Sequence, residues 1–191
     1  MFYKEFYPSV EAILFASGDA ISAEKIARMI DIPVEHVEDI LFDLKEKYKN
    51  DEHGITIRQV ADGYQMCTKK EFAPVIGSLE LAREPKLSRP ALETLSIIAF
   101  RQPVTKQEIE FIRGVKSERI IGNLLDSRFI KEEGRKDAVG RPILYATTKH
   151  FLTAFGLNSL LDLPKLPDNI FPLPEDIEEI DDILANNDEE Q

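Results

Sequence analysis

At 191 residues the chain has room for one to two domains, and its 43% hydrophobic content is ordinary for a globular protein. No apolar run reaches the length of a membrane span, and a single cysteine, Cys67, excludes an intrachain disulfide framework and fits a reducing cytosol. The net charge of −11 is uneven: residues 1–85 carry 10 basic against 16 acidic side chains, residues 86–165 carry 14 against 9, and residues 166–191 carry none against 10, a balance that excludes a general nucleic-acid binder and lets only the middle segment approach phosphate.

The chain opens on MFYKEFYPSVEA, which is not a signal peptide, because acidic and aromatic residues interrupt its apolar side chains. Phe2, Tyr3, Phe6 and Tyr7 supply four of the sixteen aromatics, more than a floppy terminus usually holds. They pack either on their own domain or on a second subunit. A helix is expected at Ser9–Ser17, followed by a Gly18-Asp19 turn. Ser22 then opens a helix carrying Ile26, Met29 and Ile30. A third helix follows Pro33, with Val37, Ile40, Leu41, Leu44 and Tyr48 at helical spacing. The period then changes to alternation over Ile55–Val60, Ala61-Asp62-Gly63 turns the chain, and Tyr64–Thr68 returns as a partner strand. His36 is expected on an exposed helix face and Cys67 as a buried structural thiol.

A polar joint at Glu84-Pro85-Lys86 separates this half from a second copy of the same plan. Ser88 and Pro90 start a helix to Arg101, Gln102-Pro103 breaks it, and Thr105 with Glu108 forms a capping box for Lys106–Arg113. A helix at Ser117–Ser127 and strands near Phe129–Glu133 and Ile143–Thr147 complete the unit. At a constant offset of 83, Ile26, Met29, Ile32, Val37 and Leu41 fall on Ile109, Ile112, Val115, Ile120 and Leu124. The order of three helices and a hairpin, twice, is a mostly α fold with small β-wings (α+β): two tandem winged-helix domains, 1–85 and 86–165, and an acidic tail, 166–191. The tail reads as disordered, or as a short helix that folds on a partner through Ile177, Ile180 and Leu184.

No nucleophile with a base, metal cluster or phosphate cradle is legible, so neither catalysis nor a cofactor is expected. The third helix of the first domain carries Glu35, Glu38, Asp39, Asp43 and Glu46, the wrong sign for the DNA groove. Lys116, Arg119, Arg135 and Lys136 in the second domain are candidates for a weak phosphate contact. On the 88–101 helix, Ala91, Leu92, Leu95, Ile98 and Ala99 form one stripe, and Ile97 and Phe100 fall outside it. That excess, with Arg101 beside it and with Phe151 and Phe155 of the run 149–164, marks a candidate partner surface, against intradomain packing as the plainer account. Gly156 is expected to cap a helix folded back on the wing.

The runs ALETLSIIAFRQPVTKQEIEFIRGV (91–115), IKEEGRKDAVGRPILYATTKHFLTAFGL (130–157) and EAILFASGDAIS (11–22) resemble the ScpB family, segregation and condensation protein B, over about residues 8–165. The resemblance implies a homodimer joined mainly through the N-terminal domain, with Phe2, Tyr3, Phe6 and Tyr7 as candidate interface residues. It implies binding to the kleisin ScpA, for which Ile97, Phe100, Arg101, Phe151 and Phe155 are the candidate contacts, and through ScpA to the SMC ATPase. Such a chain is a non-catalytic condensin subunit in chromosome condensation and segregation, cytoplasmic and brought to the nucleoid by the SMC complex, with no membrane role and only weak or indirect DNA contact. The competing reading is a winged-helix transcriptional regulator, which needs a basic third helix and retention on heparin.

Overall fold

The computed structural model describes residues 3–79, 87–166 and 170. They form two compact units: one holds the chain up to Leu79 together with Phe155–Ser159, the other holds Leu87–Ala154 and continues from Leu160.

In the first unit a 3-10 turn at Lys4–Phe6 leads into α1 (Tyr7–Ser17), α2 (Ala23–Ile30) and α3 (Val34–Tyr48). Ser22 caps α2 by accepting from the Lys25 amide at 3.3 Å, and Asp31 ends it with φ at 54°. The five expected residues Val37, Ile40, Leu41, Leu44 and Tyr48 are the buried ones on α3, which packs against α1, α2 and β1. The hairpin of β1 (Ile55–Val60) and β2 (Gly63–Thr68) is antiparallel, with Val60 opposite Gly63 and both turn residues, Ala61 and Asp62, at positive φ. Cys67 is half-buried, not buried as expected, because β2 shows only an intermediate face to the core. A short helix, α4 (Ala73–Ile76), follows. The backbone carbonyls of Leu157 and Asn158 accept from the Ala61 and Asp62 amides at 3.0 and 3.2 Å and close the hairpin turn. Gly156 ends the preceding helix with φ at 69°, and the residues after it join this turn.

The second unit repeats the plan: α5 (Arg89–Arg101), β3 (Val104–Thr105), α6 (Lys106–Arg113), α7 (Glu118–Asp126), β4 (Ile130–Arg135), β5 (Ile143–Thr147) and α8 (Lys149–Phe155), then a 3-10 turn at Leu160–Asp162. The sheet order is β3-β5-β4, antiparallel throughout. The repeat extends to features that the apolar pattern alone does not show. Ile21 bridges Tyr64 as Val104 bridges Tyr145, Ser22 and Thr105 are both caps, and Asp31 and Gly114 both close a helix in the left-handed region; Ile21/Val104, Ser22/Thr105 and Asp31/Gly114 are each 83 residues apart, and Tyr64/Tyr145 are 81 apart. Of the five apolar pairs, Ile26/Ile109 and Leu41/Leu124 are fully buried on both sides, whereas Met29 and Val115 face solvent.

Ile97 is 1% exposed and Phe151 3% exposed, so both belong to the core and neither offers a surface. The single-stripe reading of α5 fails for a physical reason: α6, α7 and β5 all pack on this helix, so it buries far more than one face. Leu92, inside the stripe, is exposed instead.

Candidate partner-binding surfaces

The aromatic arm is not loose. Tyr3, Phe6 and Tyr7 pack against the core of their own unit, and Phe2 lies outside the described residues. The Tyr3 ring stacks on His36 at 3.9 Å, so His36 is half-covered and not fully solvated as the sequence suggests. The Tyr7 hydroxyl donates to Asp43. That hydrogen bond, with lesser help from burial and from the charges of Asp43 and Asp39, raises the phenol to about 12, so Tyr7 stays a neutral donor.

Tyr7 is thereby a ridge between two grooves. One, of about 400 Å³, is lined by Tyr3, His36, Asp39 and Phe42; the other, of about 570 Å³, by Ala12, Phe15, Tyr48 and Met66. Phe15 is 77% exposed and Phe42 64% exposed. Helix α1 is apolar around most of its circumference, yet only Val10 and Leu14 are buried. An exposed apolar face of this kind is what a partner-binding surface offers. The acidic residues Glu35, Glu38, Asp39, Asp43 and Glu46 of α3 are all exposed, which leaves this face hostile to phosphate.

In the second unit Phe100 and Arg101 are half-buried at the end of α5. They line a groove of about 670 Å³ with Leu160, Leu161, Leu163 and Lys165. Gln102 fixes this end of the helix. Its side-chain oxygen accepts from the Thr147 amide at 2.8 Å and the Thr147 hydroxyl at 3.0 Å, and its amide donates to the Ala99 carbonyl at 3.0 Å. Of the five expected kleisin contacts, only Phe100 and Arg101 line one groove. Ile97 and Phe151 are in the core, Phe100 and Arg101 share the groove, and Phe155, 48% exposed, groups with the first unit.

A second groove, of about 510 Å³, escaped the sequence reading. Lys106, Ile121, Gly122, Leu125, Arg135 and Tyr145 line it, between α6, α7 and β5. The available signal was Gly122, a glycine inside a helix with open space where its side chain would stand.

The basic candidates are only partly available to phosphate. Lys116 and Arg119 are exposed, but the Arg135 guanidinium donates to the Arg141 carbonyl at 3.0 Å. The Lys136 ammonium donates to Glu108 at 2.7 Å. The other Glu108 oxygen accepts from the Thr105 amide at 2.7 Å and hydroxyl at 2.8 Å, completing the capping box. Burial pushes the Glu108 carboxyl up, but Lys136 and the Thr105 donors together outweigh it and hold the group below its ordinary value. Lys136 is thus committed to the fold, because Glu108 needs a cation.

Among the described residues no three His, Cys, Asp or Glu side chains are placed to hold a metal ion, and no helix is long and apolar enough to cross a membrane.

The sequence model of the family described as "Segregation and condensation complex subunit ScpB" matches residues 8–166. The segregation and condensation protein B of Moorella thermoacetica is 46% identical over 84% of this chain and 82% of its own length. That of Oceanobacillus iheyensis is 46% identical over 91% and 92%. Among solved structures, ScpB from Mycobacterium tuberculosis is 33% identical over 82% of this chain and 98% of that one, with a TM-score of 0.40. A dimer of an ScpB N-terminal domain complexed with an ScpA peptide is 28% identical over 44% and 97%, with a TM-score of 0.40.

Proposed function

We propose, from the fact that this chain belongs to the ScpB family of segregation and condensation complex subunits, that it is a non-catalytic, dimeric adaptor of a bacterial SMC-type complex. The observation that carries the reading is the reach of the match, residues 8–166, which takes in both winged-helix units and not one alone. The first unit joins two copies through the α1 and α3 face that exposes Phe15 and Phe42. The kleisin ScpA is the partner, taken up by the apolar grooves of the second unit, with Phe100 and Arg101 among its contacts. Contact with the SMC ATPase, and residence at the nucleoid, come through ScpA.

Direct DNA contact is a minor part of this role. The third helix of the first unit is acidic and exposed, and two of the four basic candidates of the second unit, Arg135 and Lys136, are spent on internal hydrogen bonds. A transcriptional regulator is disfavoured on the same grounds. Co-expression with ScpA from the same source tests the proposal. The two chains should elute together from size exclusion, with a mass by light scattering that holds two copies of this chain. Separate elution under low and moderate salt would remove it.

A further inference from the structure

The groove beside the end of α5 carries more apolar surface than its own unit uses. Leu161 at its rim is 93% exposed, and Phe100, Leu160, Leu163 and Leu166 form its walls. A patch of this kind marks a docking surface. Among the described residues the lining holds two cations, Arg101 and Lys165, and no acidic side chain, and residues 86–165 carry 14 basic against 9 acidic groups. From Lys165 and Leu166, in the wall of the groove, the chain runs directly on into residues 167–191. The residues beyond, 167–191, carry ten acidic groups and no basic one. Within them Ile177, Ile180 and Leu184 recur at helical spacing, flanked by Glu178, Glu179, Asp181 and Asp182.

We propose that this groove is occupied in the free chain by the chain's own acidic segment, residues 175–186. Ile177, Ile180 and Leu184 meet Phe100 and the leucine wall, and the flanking carboxylates face Arg101 and Lys165. Two independent features select this occupant: opposite charge, and a tether that starts in the groove itself. The stretch from Leu166 to Ile177 reaches at most about 40 Å when extended, so the segment cannot wander far. A tether of this length gives a local concentration in roughly the millimolar range, enough for a contact too weak to form between separate molecules. ScpA is the rival occupant under the reading above, but the docking itself does not depend on that reading.

The test uses the full chain with Leu161→p-benzoylphenylalanine as a photo-crosslinking probe, the adducts being mapped by mass spectrometry in a mixture of isotopically light and heavy protein. Crosslinks into residues 175–186 of the same chain, with a yield that falls several-fold from 50 mM to 500 mM salt, are expected. Adducts elsewhere, or adducts between light and heavy chains, would overturn the proposal, the latter because the occupant would be a second copy. As a second measurement, hydrogen exchange of residues 99–103 and 160–166 should quicken several-fold in the full-length Ile177→Asp, Ile180→Asp, Leu184→Asp variant, with the first unit unchanged. Equal exchange in both proteins would also overturn it. ScpA co-elution is scored separately, so loss of docking with retained co-elution sinks this proposal alone, and the converse sinks only the adaptor reading.

Discussion

Glu108 does two jobs with one carboxylate: it closes the capping box of α6 and it fixes the wing through Lys136. Its pKa is lowered in the fold, so the unfolded chain holds the proton to higher pH. The stabilisation is therefore complete above the ordinary value of 4.5 and is lost as pH falls through the lower folded value. Glu108→Gln keeps a capping oxygen but removes the charge. It should cost about 1 kcal/mol at pH 7, measured by urea unfolding, with the difference from wild type shrinking below the carboxylate range. A pH-independent difference would mean that the charge contributes nothing. Ile97 is a different case. With Ile97 buried at 1% exposure, Ile97→Ala should cost about 2–5 kcal/mol. Phe100→Ala, at a half-buried groove position, should cost clearly less than Ile97→Ala in the same unfolding measurement. Only the second kind of residue can serve a partner. The sequence stripe could not separate them, because it assumes that a helix buries one face, whereas three elements enclose α5.

Two glycines show how differently the same residue acts at the level of an element. At Gly63 a Cβ would stand 2.9 Å from the Ile21 carbonyl oxygen, where Ile21 bridges Tyr64 and extends the hairpin. Gly63→Ala must push two backbones apart and should destabilise the first unit by about 1–3 kcal/mol. At Gly122 a Cβ would meet nothing within 4 Å, and the residue sits inside α7. Gly122→Ala should therefore stabilise the free chain by about 0.5–1 kcal/mol and raise its melting temperature. The same substitution should weaken ScpA capture if the α7 groove receives backbone at close range. Unchanged capture would assign ScpA to the other groove. Most elements were legible because their ends carry chemical signals: Ser22, Pro33, Ser88 and the Thr105/Glu108 pair each start a helix where the sequence places it. The strand at Val104–Thr105 was not, because two residues are too few to show alternation. Nor was the return of Leu157 and Asn158 to the first hairpin, which is backbone pairing and leaves no mark on side-chain pattern. The grooves were half legible: Phe100 and the apolar run 149–164 stood out as surplus, but nothing in the sequence brings the end of α5 and residues 160–166 into one groove.

At the scale of the whole molecule, charge and apolar surface are divided between functions. If the first unit joins two copies through α1 and α3, then Phe15→Asp with Phe42→Asp should turn a sedimenting dimer into a monomer. The monomer should keep its helix content and cooperative unfolding, because both rings are more than half exposed in the single chain, while its melting temperature should lose its dependence on protein concentration. A persistent dimer would place the interface elsewhere. The distribution of charge yields the last prediction. Cutting the chain after Leu166 removes ten acidic groups and no basic one, which takes the net charge from −11 to −1. No core residue among those described lies beyond Leu152, so folding should survive the cut. What remains is a unit with a basic excess in residues 86–165, freed of its own polyanion. Non-specific DNA affinity should rise by about an order of magnitude at low salt, without sequence preference. Screening then supplies the control. The effect acts through exposed charges, so the gap between full and shortened chains should close as the Debye length falls below about 10 Å, near 0.1 M salt. A gap that persists in high salt would mean that the acidic segment blocks DNA by covering a surface, and equal affinity at all salts would mean that it neither screens nor covers.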